Sequence, residues 1–118
     1  MPKVKKVVII GTKDYSIIKS RKPVLGAFAC INDCNEITVI TAGKVASPIS
    51  VQKGYRLITF DMVLPFSMVG FIAKIATKLA KAKIPIFVIS AYSTDHILVK
   101  KAYVNKARGC LKSLGFEI

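Results

Sequence analysis

Tryptophan is absent from this chain of 118 residues, histidine occurs once, and acidic side chains number only six. With so few groups able to move protons, catalytic constellations are missing. His96 stands beside Asp95, yet no placed nucleophile accompanies the pair. No P-loop, no GxGxxG and no HExxH spacing occurs, nor the basic, aromatic signature of an RNA-reading sheet. The chain is therefore expected not to be an enzyme and to need no cofactor.

Cysteine is scarce as well. Cys30, Cys34 and Cys110 cannot all pair within the chain, and the apolar run Val7 to Ile10 is too short for a secretory signal core. A reducing cytoplasm follows as the expected compartment. Cys30 and Cys34 have neither a second cysteine pair nor more than one histidine beside them, so no metal site is expected. Long hydrophobic runs are missing too. Leu57 to Ala73 is apolar, but it falls short of the ~20 residues of a membrane span and contains Asp61 and Pro65. No membrane partner is expected.

What the chain does have is lysine. Lys and Arg together number 19, for a formal net charge of +13. Such a balance favours acidic partners, and a basic nucleic-acid-binding module is the rival reading from a different functional class. Against it, arginine is scarce, the lysines are scattered, and no run of five like charges occurs. A lysine-coated soluble surface accounts for the pattern more simply.

The first half is rich in β-branched residues. Val4 to Ile10 and Tyr15 to Lys19 are expected to form a hairpin around Gly11-Thr12-Lys13-Asp14. Val24 to Ile31 and Glu36 to Thr41 form a second pair around Asn32-Asp33-Cys34-Asn35. Ala42 to Gly54 is small and polar and is taken as a connector.

The second half is sharper. Tyr55 to Met62 is a strand. Met68, Phe71, Ile72, Ile75 and Leu79 then recur at helical spacing, with Lys74, Lys78 and Lys81 on the other side and Ser67 placed as N-cap. Ile84 to Ile89, apolar on both faces, is expected as a central strand. Ser93-Thr94-Asp95 turns the chain into a strand over His96 to Lys100. A helix over Lys101 to Leu114 follows, with Gly115 at C′ and a short last strand over Phe116 to Ile118. The order is βαββαβ, the ferredoxin-like pattern of an α+β domain. The division is residues 1–54, smaller and β-rich, and residues 55–118, the βαββαβ domain.

Two loops carry the functional expectation. The helix start at Ser67 presents the amides of Met68, Val69 and Gly70, a seat for a carboxylate or phosphate. The loop Ala91, Tyr92, Ser93, Thr94 and Asp95 offers one of the few acids, suited to an ammonium group. The plainer alternatives are that Ser67 merely caps its helix and that Asp95 caps a turn. If the loops meet, they form a cradle for a free amino acid.

These residues resemble the ACT domain, a βαββαβ module that binds amino acids and regulates metabolic proteins. The likeness is to the ACT-like branch of stand-alone amino-acid-binding proteins related to cytosolic arginine sensors. Phe66-Ser67-Met68-Val69-Gly70 is similar to that branch's D-F-S-L-x-G motif. Ile86 to Val99, with Ser90-Ala91-Tyr92-Ser93-Thr94-Asp95 at its centre, is similar to its longer I-S-T-Y-x-T-D stretch. Residues 24 to 42 resemble the preceding β-rich ACT-like half. The resemblance implies that Ser67 to Gly70 and Ala91 to Asp95 contact a small amino-acid ligand. It also implies a homodimer with ligands near the interface, and a regulated protein partner. Asp95 aligns with the acid that faces the ligand side chain in the arginine sensors. Three positions depart: Pro65 replaces an Asp, Ala91 a Thr, and Met68 an acid of the arginine sensors. A degenerate domain kept only for dimerisation is a further alternative.

Overall fold

The structure is a computed structural model and describes residues 6–118. They fall into two compact units, residues 13–55 and residues 6–12 with 56–118. Val4 and Lys5 of the expected first strand lie outside the described residues.

In the first unit, β2 (Tyr15–Ser20), β3 (Ala29–Asn32), β4 (Ile37–Thr41) and the start of β5 (Ser50–Phe60) lie in the order β3-β4-β2-β5. The hairpin of β3 and β4 forms in antiparallel register, Ala29 opposite Ile40 and Asn32 opposite Ile37. Asp33 closes its turn by accepting from the amides of Asn35 and Glu36 at 3.0 and 2.9 Å. These amide bonds hold the Asp33 carboxyl below its ordinary acidity range. The strand expected from Val24 starts five residues late, at Ala29. Leu25 and Gly26 instead form a turn, with Gly26 at φ 83° and the Ala27 amide 3.5 Å from the Val24 carbonyl. Nor is the connector irregular to its end. Residues 50–52 already pair with β2, and Gly54 at φ 82° lies where the register shifts between Tyr15 and Ile17, a β-bulge. Ile18, Val39 and Ile40 are the buried centre of this unit.

In the second unit, β1 (Val8–Ile10) does not form the expected hairpin with β2. It pairs antiparallel with the far end of β5, Val8 opposite Phe60 and Ile10 opposite Ile58. β7 (Asp95–Lys100) lies between β5 and β6 (Phe87–Ser90). The final strand of the sequence reading contracts to one bridge, Val7 parallel to Glu117, closed by hydrogen bonds of 2.7 Å on either side. The N-terminal strand thus pairs with β5, and the chain end joins it by that single bridge. β6 is an edge strand and not a central one. Val88 on it is exposed, whereas Ile97, Leu98 and Val99 of β7 are wholly buried.

Helices α1 (Phe71–Lys81) and α2 (Val104–Ser113) pack their apolar stripes on this unit, α2 after a 3₁₀ turn at Lys101–Tyr103. Ile75, Leu79, Ala107 and Leu111 join Val8, Ile58, Phe60, Ile97, Val99 and Phe116 in one core. Gly115 ends α2 as expected. At φ 92° it lets its own amide reach the Lys112 carbonyl (2.9 Å) and the Phe116 amide reach that of Leu111 (3.2 Å). This is a Schellman motif whose hydrophobic contact is Leu111 with Phe116.

The end of α1 uses the same geometry without glycine. Lys83 at φ 60° donates to Ala80, and Ile84 donates to Leu79 at 3.0 Å. A left-handed side-chain-bearing residue carries strain that glycine lacks. Lys83→Gly is therefore expected to raise stability by about 1 kcal/mol after glycine's own entropic cost, read as a higher urea midpoint. A lower midpoint would show that the Lys83 side chain contributes more than the strain.

Candidate functional site

The loop between β5 and α1 and the loop between β6 and β7 meet. The Leu64 amide donates to the Ser93 carbonyl at 2.8 Å, and the rings of Phe66 and Tyr92 contact edge-on at 4.9 Å between centroids. Between the loops lies an open cleft of about 260 Å³, lined by residues 64–66, Met68, Phe71 and residues 90–95. Of the sequence-predicted residues, Met68, Ala91, Tyr92, Ser93, Thr94 and Asp95 line it. Ser67, Val69 and Gly70 do not. Val69 is almost fully exposed, at 94%.

The helix start also differs from expectation. Ser67 is not the N-cap. Gly70 is, at φ 83°, with no side chain capping the helix. A residue in that left-handed region cannot belong to a right-handed helix, so the first turn begins at Phe71 and its opening bond runs from the Lys74 amide to the Gly70 carbonyl (3.2 Å). Ser67 lies one turn too early. The Met68 amide is already engaged, donating to the Pro65 carbonyl at 3.0 Å. The spare amides of the helix start are thus those of Phe71, Ile72 and Ala73, and Phe71 also lines the cleft.

Opposite them the β6–β7 loop turns tighter than expected. The Ala91 amide donates to the Thr94 carbonyl at 3.0 Å, and Asp95 is already the first residue of β7, paired with Ser90. Asp95 is not a turn-capping aspartate: its carboxylate accepts no hydrogen bond among the described residues. It is the only charged side chain lining the cleft.

Leu64, Pro65, Phe66, Phe71 and Ser90 also line the cleft, although they were not among the expected ligand contacts. The signal available was the pair of aromatic residues, Phe66 and Tyr92, one in each loop. Among the described residues, no group of His, Cys, Asp and Glu is arranged to hold a metal ion, and no helix is long and apolar enough to cross a membrane.

His96 lies on β7, next to Asp95, and is half-buried. Its Nδ1 lies 2.9 Å from the Thr59 hydroxyl. Partial burial pushes its pKa below the ordinary 6.5, and the nearby Asp95 charge opposes this more weakly. The unfolded chain therefore binds the proton more readily than the folded one. Stability from neutral His96 is present above pH 6.5 and is lost as pH falls through the lowered folded value. The urea midpoint should drop between neutral pH and pH 5, and His96→Gln should flatten part of that slope. An unchanged slope would show that other groups govern it.

Residues 50–113 match the family model described as ACT domain. No match is found among curated proteins. Among solved structures, the chain resembles protein VC0802 of Vibrio cholerae, whose function is unknown, with 25% identity, a TM-score of 0.73, and coverage of 91% of this chain and 87% of that one. It also resembles Atu0741 of Agrobacterium tumefaciens, with 20% identity, a TM-score of 0.80 and coverage of 98% and 92%. A third is the aspartate kinase of Clostridium acetobutylicum, named as an allosteric enzyme, with 13% identity and a TM-score of 0.64. There 92% of this chain matches 35% of the enzyme. With more than half its length matched by the family model and its α+β fold shared with these neighbours, the chain belongs to the ACT-domain family.

Proposed function

We propose that this protein is a non-catalytic regulatory or sensor protein that binds a free amino acid in the cleft between the two loops. The observation that carries the reading is Asp95. It is the one charge in a small cleft, with an uncapped helix start beside it. The ligand's ammonium meets the Asp95 carboxylate, and its carboxylate sits toward the amides of Phe71 to Ala73. At about 260 Å³ the cleft lies just below the range of drug-sized sites, roughly 300–1,000 Å³, which suits a small zwitterion. Phe66 and Tyr92 form an aromatic wall across its rim.

Regulation needs a ligand that prefers one assembly state over another. The working form is a cytoplasmic homodimer whose association, or contact with a regulated protein, changes when the cleft fills. The exposed apolar side chains beside the cleft (Val63, Phe66, Val69 and Tyr92) support this, because they form a surface a neighbouring chain would cover. The amino-acid neighbourhood is also supported by the likeness to an allosteric aspartate kinase.

A thermal-shift panel of the twenty amino acids tests the proposal. At least one should raise the midpoint in a concentration-dependent way, with a matching change in sedimentation. If none does so at millimolar concentration, the sensor reading is wrong.

A further inference from the structure

The unit formed by residues 13–55 holds a second cleft, larger than the first at about 580 Å³. Two loops build it, residues 20–25 after β2 and residues 44–47 between β4 and β5. The first is held in place. The buried Ser20 hydroxyl donates to the Lys22 carbonyl at 2.7 Å. The Cys30 thiol lies within 3.4 and 3.5 Å of the Val24 carbonyl and amide, fixing the loop to β3. Across the cleft, Ser47 sits at φ 49°, a strained value for a side-chain-bearing residue.

The lining divides into two chemistries. Arg21, Lys22 and Lys44 supply three cations, and no acid lines the cleft. None of these three side chains has an ion-pair partner among the described residues; the ion pair nearby is Lys19 with Glu36, at 3.6 Å. The remainder is aliphatic (Val24, Leu25 and Val45 among them), and no aromatic ring is present on which a base could stack. Leu25 is fully exposed at the rim, at 103%. An apolar side chain left wholly in water beside uncompensated cations is the complement of a ligand with an aliphatic body and an anionic end.

We propose that this cleft is a second ligand site, independent of the amino-acid cleft, that takes an aliphatic carboxylate. The carboxylate end is held by Arg21 and Lys44, and the chain lies over Leu25 and Val45. The volume falls within the range of sites that enclose organic ligands, roughly 300–1,000 Å³. Attraction between exposed charges is screened by salt, so affinity falls as ionic strength rises.

Titration of the full chain with octanoate, 1-octanol and inorganic phosphate, followed by amide chemical shifts, tests the proposal. Octanoate should saturate one site, moving amides of residues 20–25 and 44–47. Octanol and phosphate, each lacking one half of the ligand, should bind at least about tenfold more weakly, given the usual weight of a charged hydrogen bond. Lys44→Glu and Arg21→Ala should each weaken octanoate by a similar factor without changing the spectrum of the apoprotein elsewhere. The proposal is overturned if octanoate does not saturate at millimolar concentration, or if octanol binds as well. It is equally overturned if neither variant alters affinity, if the shifts map to residues 90–95, or if a mixed-sequence oligonucleotide moves these amides and octanoate does not. Failure here leaves the amino-acid panel unaffected.

Discussion

Phe60→Ala should cost about 3–5 kcal/mol of stability, the largest loss expected of any single side-chain truncation in this chain. Phe60 ends β5 wholly buried, directly opposite Val8 of β1. Its ring meets Phe71 of α1 edge-on at 5.4 Å and Phe116 beyond α2 at 5.5 Å. One side chain thus joins the N-terminal strand, the first helix and the chain end. Truncation removes the ring's transfer energy, leaves a cavity, and ends aromatic contacts worth about 0.5–1.5 kcal/mol each beyond area alone. Since small domains are stable by only about 5–15 kcal/mol, the variant should approach its unfolding threshold at room temperature. Urea unfolding followed by far-UV circular dichroism suits a chain without tryptophan. Lys106→Ala is the control, because Lys106 is exposed on α2 and should change stability by no more than about 0.5 kcal/mol. A loss below about 1 kcal/mol for Phe60→Ala would mean that the core around it is not as packed here.

The sequence disclosed this fold where the information is local. Ile75 and Leu79 recur at helical spacing and are buried, the β3–β4 hairpin follows from turn residues that hydrogen-bond their own backbone, and Gly115 marks a helix end. What it concealed is pairing at long range. A short apolar strand such as Val8–Ile10 suits any open strand edge. Nearness in sequence favours β2, yet the partner is β5, fifty residues away, because Val8 is buried there against Phe60 and Phe116. Ile84 to Ile89 looked central because it is apolar on both faces. Instead Ile84 is consumed by the Schellman turn of α1 and buried in the core, so the strand starts only at Phe87 and remains at the edge.

The candidate site was legible in its members more than in its wiring. A serine before an apolar helical stripe reads as a cap, but Gly70 between them adopts a conformation available at little cost only to glycine, and the helix starts there. That moves the spare amides from Met68–Gly70 to Phe71–Ala73. The aspartate was found because acids are rare in this chain. Its position on a strand instead of in the turn leaves the carboxylate with no turn amides to cap.

Asp95→Asn is accordingly expected to remove most of the stabilisation that a bound amino acid provides. The substitution keeps the shape of the side chain and deletes its charge, so the ammonium loses its counter-ion and little else changes. A hydrogen bond to a charged group is worth about 1.5–3 kcal/mol, which raises Kd by about 10- to 150-fold. With ligand at a hundredfold excess over the unsubstituted Kd, binding adds about 2.7 kcal/mol. After a hundredfold loss of affinity the same concentration adds only about 0.4 kcal/mol. The measurement is the ligand-dependent shift in urea midpoint for both proteins, with the ligand-free midpoints as reference. Similar ligand-free midpoints with a collapsed ligand shift assign Asp95 to the ligand. A large fall in the ligand-free midpoint with the ligand shift intact assigns it to the fold, and the ammonium must then be sought elsewhere. Phe66→Ala separates the aromatic wall from the charge: it should speed ligand release while leaving the salt dependence of binding intact, because the charge that attracts the ammonium remains in place.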